Sequence, residues 1–356
     1  MAKKSKVKPL DEEVVETPVE ETPVEETPVE ETPVEETPAE ETPAEETPAE
    51  EETGIVAVGE KKYATFTDAI ADYPVGTKIE MTLLEDALDM SGTIVPEGSD
   101  VVFDFGGHKV VVTRDPAGST GTKTQAFQLL KGSTVLMKNG TLESGSPDVK
   151  FIIQNYSNLT LENVVVNGEK NPQVQYAASN NFGSMNVKGN TEIHASEGRV
   201  AFDVWYGMAA TYDDGVAVTF DKDFTGKVEG KVEYGAADRA LNTPWEAKAA
   251  LEIDGGNFDI ELKSGNKNYV LGENSNVAIN GGTFSEASRK SIEEYVSPDA
   301  PVVIGGVNTF KELKDIVVGI IGDETAAPDP LTDAEIDKIA DSASEYGESD
   351  PEEEKE

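Results

Sequence analysis

Between about residues 101 and 284 one short pattern recurs: an alternating apolar run, a turn containing Asn or Gly, then a second alternating run. The clearest copies are 135–142 (VLMKNGTL), 159–166 (LTLENVVV), 251–258 (LEIDGGNF) and 277–284 (VAINGGTF). Looser copies lie at 103–108, 185–190 and 218–221. The last apolar residues before the turns are Phe105, Met137, Leu161, Val187, Phe220, Ile253 and Ile279, spaced by 32, 24, 26, 33, 33 and 26 residues. A period near 25 with insertions is the mark of a stacked architecture. Period-2 alternation makes each unit mostly strand, with the alternating Val, Leu, Ile, Met and Phe facing inward. One such unit cannot bury its inner face alone, whereas stacked units share a continuous core. The steps Asn139-Gly140, Gly255-Gly256 and Gly281-Gly282 are expected to supply positive φ at tight corners. Because Asn-Gly also closes hairpins, an antiparallel β-sandwich is the alternative.

The flanks differ in kind. The chain has 356 residues and a formal net charge of -41, unevenly spread. Residues 11–52 hold 19 acidic residues and no Lys or Arg, residues 323–356 hold 14 acidic residues and two lysines, and about -14 remains for the middle. An acidic surface of this kind lacks the cationic footprint that sequence-independent nucleic-acid binding needs. In residues 11–53, Glu-Thr-Pro-(Val/Ala)-Glu occurs seven times, with prolines from Pro18 to Pro48 at every fifth position. That spacing forbids a helix and a sheet interior. It predicts a disordered acidic tether reaching roughly 100 Å or more at ~3.1 Å per residue. Residues 1–10 form a basic arm in which Lys3, Lys4, Lys6 and Lys8 are candidate anchors. No apolar run follows it, so neither a secretory signal nor a membrane span is expected.

The folded part is expected over 54–286. It should open with a strand at 55–58, a short helix at 67–73 ended by Pro74, and strands at 78–84 and 93–96. This block, with Tyr63 to Ile70 and Val102 to His108, resembles the entry segment of right-handed parallel β-helix proteins of the pectate-lyase-like class, where a strand and a helix cap the first coil. The resemblance implies an all-β fold, a right-handed parallel β-helix. After Phe284 the pattern is expected to stop. A capping and oligomerisation segment over 287–345 would follow, with a short helical or loop stretch at 288–295. A helix begun by a Thr309–Glu312 capping box would then place Phe310, Leu313, Ile316, Val317 and Ile320 on one face. The tail, 346–356, reads as disordered.

The absence of cysteine excludes a disulfide framework, thiol catalysis and a Cys-based zinc site. There is no nucleophile elbow, and Gly118 to Lys123 lacks the spacing of a phosphate loop. The two histidines, His108 and His194, are 86 residues apart and show no metal-ligand spacing, so structural roles and no metal or other cofactor are expected. The pectate-lyase-like resemblance would imply either a Ca²⁺ site with a basic proton acceptor or paired aspartates on one face. The stretch best supplied with acids and aromatics able to meet a sugar is Asp203, Trp205 and Tyr206 with Tyr212, Asp213 and Asp214.

The whole order of basic arm, acidic stalk, β-rich head, helical end and acidic tail resembles virion-attached proteins of tailed bacteriophages, of the head-fibre and capsid-decoration type. Residues 63–108 and 280–285 (NGGTFS) also resemble repeated surface proteins of gut bacteria and their phages. These resemblances imply a structural protein on the exterior of the capsid, made in the host cytoplasm and docked through its N-terminus. Its head would meet cell-surface or mucosal polysaccharide, in some such proteins as a homotrimer. A bacterial surface adhesin, or a polysaccharide lyase or hydrolase on the same scaffold, is the alternative.

Overall fold

The computed structural model describes residues 54–119, 122–207 and 214–309. The basic arm, the Pro-rich tether, the 310–320 helix and the acidic tail lie outside them. The described residues form 23 strands, joined in one mostly parallel sheet, with a few short helices. Antiparallel pairing is confined to Val56–Val58 with Lys61–Tyr63 and with Lys78–Leu83, Val303–Ile304 with Val307–Asn308, and an isolated bridge. The hairpins that a sandwich needs are therefore not what pairs the repeats.

Parallel partners are separated by roughly one sequence period. In a first row, Met81, Phe103, Met137, Leu161, Val187, Phe220, Ile253 and Ile279 stand opposite one another, each paired with the next. All eight are at most 1% exposed, so this column lies in the core. The register corrects one expected position: Phe103, not Phe105, is the partner of Met137, and the column begins a strand earlier at Met81. Phe105 is buried too, at the corner beyond the strand end. A second row carries Val110, Leu142, Val166, Ile193, Val228, Phe258, Phe284 and Ile304 in the same way. A third carries Phe127, Ile153, Ala178, Phe202, Val232 and Leu262. Nearly all the buried apolar residues from Val56 to Ile304 make one cluster.

Corners join the first row to the second within long bent strands such as Thr134–Ser144 and Asn158–Asn167. The left-handed residue at the first corner is Asn139 (φ 60°) rather than Gly140, and Asn163 (φ 55°) occupies the next. Gly140 serves a different need, since a Cβ there would lie 2.4 Å from Phe105 Cβ and 2.5 Å from the His108 carbonyl. At the two Gly-Gly corners it is the second glycine, Gly256 or Gly282, that takes positive φ. On the outer face the first row alternates in charge: Lys138 pairs with Asp104 at 3.1 Å and Lys188 with Glu162 at 3.2 Å.

The opening block forms as the sequence predicts. Helix Phe66–Ala71 is capped by Thr65, whose hydroxyl accepts from the Asp68 amide. It buries Phe66 edge-on against Phe103 and Phe105, at centroid distances of 5.3 and 6.0 Å. The other end departs from expectation. The pattern does not stop at Phe284: Thr283–Phe284 takes a further parallel partner, Val303–Ile304, after the short helix Arg289–Ile292. This strand is only two residues long and is separated from Phe284 by 18 others, so alternation cannot reveal it.

Candidate functional site

The predicted ligand-binding residues fall in two places. Tyr212 and Asp213 lie outside the described residues. Asp203 and Trp205 lie on one face of strand Val200–Tyr206, whereas Tyr206 alternates to the other and is buried in the core. Asp214 is carried away to the start of a first-row strand, Val216–Phe220.

Asp214 lines a pocket of about 170 Å³ with Lys131, Tyr156, Asn158 and Phe182. Its carboxylate faces Lys131 Nζ at 3.5 Å. The rings of Tyr156 and Phe182 stack in parallel, with centroids 6.3 Å apart and planes at 28°. Tyr206 touches this pocket from behind, packing edge-on against Phe182 at 6.3 Å. Tyr206 is thus a support for the pocket rather than a contact surface. The volume is below the several hundred Å³ of an enclosed small-molecule site, so the pocket suits one end of an extended ligand. Phe182 is buried between Tyr156 and Tyr206, so the partly exposed Tyr156 is the aromatic side chain that the pocket presents. Tyr156 and Phe182 were legible in principle: they follow Asn155 and Asn181, one repeat apart.

Asp203 sits in a polar ladder on the third row. It stands opposite Glu233, which stands opposite Lys263, while Gln128, Gln154 and Ser179 continue the ladder in the other direction. The carboxylate of Asp203 accepts from the Asn180 amide and, at 3.2 Å, from the Ser179 hydroxyl. Burial pushes its pKa up to about 7; these two donors oppose the rise, and the Glu233 carboxylate adds to it. Glu233 accepts from the Tyr176 hydroxyl at 2.9 Å and pairs with Lys263 at 3.0 Å. Burial, then the charge of Glu233, holds the Tyr176 phenol above its ordinary range. On the next position along the strand, Trp205 lies over Gly235 and Gly265, 3.3 Å from where their Cβ atoms would be.

Chemically this is a carboxyl whose affinity for a proton is raised by burial, one strand from the carboxylate of Glu233. Adjacent parallel strands are about 4.8 Å apart, close to the separation used by retaining glycoside hydrolases. Access points the other way: Asp203 is 5% exposed and the Glu233 side chain 15%. Glu233, Lys263, Ser179 and Tyr176 were missed by sequence reasoning. They come from three other strands, and the pairing that sets Asp203 opposite Glu233 changes register just before it, between Val200 and Phe202.

Of the two histidines, His108 faces Asp86 at 3.4 Å, and His194 lies between two glutamates at 2.7 Å each. No helix among the described residues is long and apolar enough to cross a membrane. Compared with known proteins, the chain matches no family model, no curated protein and no solved structure.

Proposed function

We propose that the chain is a structural, virion-attached protein of a tailed bacteriophage, a head fibre or capsid decoration protein. Its parallel rows wind as a right-handed β-helix and carry the Tyr156–Phe182–Asp214 pocket toward host-surface or mucosal glycans. The observation that supports this most is the eight-residue column from Met81 to Ile279, in register at every step. Such a stack is a stiff body suited to presenting one surface at a distance, and the Glu-Thr-Pro repeats supply that distance. Many tethered copies on one particle would turn weak sugar contacts into firm attachment.

Mass spectrometry of purified particles tests the location, and absence of the chain from virions overturns it. Glycan-array binding of the full chain tests the head. Tyr156→Ala and Asp214→Ala should each weaken a bound glycan at least fivefold without changing the melting temperature by more than a few degrees.

The Asp203–Glu233 pair favours a second reading, a glycoside hydrolase on the same scaffold. It requires turnover of an acidic polysaccharide that is lost in both Asp203→Asn and Glu233→Gln. Binding without turnover supports the adhesive reading instead.

A further inference from the structure

We propose that Glu169, His194 and Glu229 form a binding site for a divalent transition-metal ion of the zinc class. The site lies on the outer face of the second row, apart from the pocket and from the Asp203 ladder. Asn167, His194 and Glu229 stand opposite one another on three successive parallel strands. One ligand atom from each of Glu169, His194 and Glu229 lies within 4.8 Å of the others.

Each donor is held by a specific contact. His194 Nε2 faces Glu192 Oε2 at 2.7 Å, and Nδ1 faces Glu229 Oε2 at 2.7 Å. Glu192 at Nε2 braces the ring, with Nδ1 aimed at Glu229; metal-bound imidazoles are commonly braced by an outer carboxylate in this way. Lys227 engages Oε1 of Glu229 and leaves Oε2 to the site. Glu169 is brought in by its loop. The Gly168 amide donates to the His194 carbonyl at 2.8 Å, and the Glu169 amide donates to Asn167 Oδ1 at 3.1 Å. A Cβ on Gly168 would stand 2.9 Å from that same carbonyl, so only glycine lets the loop come this close.

Charge and ligand type narrow the ion. Three carboxylates, those of Glu169, Glu192 and Glu229, outnumber the one ammonium of Lys227, so the surroundings favour a cation. One imidazole nitrogen with carboxylate oxygens suits zinc and its neighbours, whereas calcium and magnesium prefer all-oxygen sites. Donors at 2.0–2.2 Å from a tetrahedral ion are about 3.4 Å apart. Nδ1 and Oε2 must therefore separate by about 0.7 Å, a small side-chain rotation, and any proton shared between them leaves to solvent. Glu169 is exposed, so the ion has an open approach and keeps water in its remaining position.

The chain has only two histidines, which makes the test direct. Zn²⁺ is titrated into the full chain and both imidazoles are followed by two-bond ¹H–¹⁵N NMR, with His108→Gln giving the assignment. We expect the His194 ring signals to move and saturate at one equivalent while those of His108 stay. Glu169→Gln, at an exposed position, and Glu229→Gln should each weaken the effect at least tenfold, with strand content by circular dichroism unchanged. Glu192→Gln should weaken it ten- to a hundredfold without changing the stoichiometry. The proposal is overturned if both rings move together, or if Ca²⁺ gives the same shift. It is equally overturned if Glu169→Gln and Glu229→Gln both bind zinc as the parent does. Because the acidic tether carries no histidine, zinc held there leaves both rings unmoved and counts against the site.

Discussion

Asp203 shows how one side chain can carry a measurable burden for the whole fold. Its folded pKa, about 7, lies above the ordinary value of 3.8. Between these values the folded chain holds a proton that the unfolded chain has released. Stability therefore falls as pH rises from about 4 to about 7, and the penalty persists above that. Asp203→Asn removes the titration and keeps an acceptor for the Asn180 amide. The stability of the variant relative to the parent should rise by on the order of 2–4 kcal/mol between pH 4 and pH 8. Urea unfolding at several pH values checks this, and a pH-independent difference would show that Asp203 is ionised throughout. The neighbouring Asn155 and Asn180 need no charge for their role. Asn155 donates to the Asn180 side chain and accepts from the Ser157 amide and hydroxyl, and Asn180 donates to the Ala217 carbonyl. The alternation pattern marked neither residue, because a polar residue in a strand reads as outward unless its partner one rung away is known.

At the scale of the strand and corner, two kinds of substitution separate packing from backbone fit. Leu161 stands in the middle of the first-row column, between Met137 and Val187, and is fully buried. Leu161→Ala should cost about 2–5 kcal/mol, as cavity-forming changes in cores do. Gly140→Ala adds a single methyl group at the corner, 2.4 Å from Phe105 Cβ. It should cost about 1–3 kcal/mol through overpacking, although alanine is ordinarily the better strand and helix residue. Denaturant midpoints at constant m-value test both, and a neutral Gly140→Ala would mean that the corner relaxes freely. The sequence pointed to Leu161 directly. It pointed to Gly140 for the wrong reason: Asn139 takes the left-handed conformation, and Gly140 is small because Phe105 and His108 from the preceding rung press on it. That pressure is a contact across 32 to 35 residues of sequence and leaves no local trace.

For the whole molecule, the proposed division of labour between tether and head has a separable consequence. Removal of residues 1–15, with Lys3, Lys4, Lys6 and Lys8, should abolish attachment to the particle. The head should keep its strand signal by circular dichroism and its melting temperature within about 2 °C. Attachment retained after that deletion would place the anchor elsewhere in the chain. The proposed β-helix would also make each repeat depend on its neighbours, so loss of a central repeat should propagate further than loss of a terminal one.

Alone, the sequence established that the chain is built of repeated strands, with their approximate period and the inward set. These follow from alternation and from the burial of apolar side chains, both local properties of the chain. The entry helix was equally legible, because the run at 67–73 and the Pro74 that ends it are signals close together in the chain. Only the tertiary structure decided the pairing of Phe103 with Met137, the last rung at Val303–Ile304, and which polar side chains meet. Insertions between the paired strands make the offset vary from 20 to 35 residues. A shift of one residue exchanges the two faces of a strand, so the partners of Asp203 or His194 become definite only once every rung has found its register.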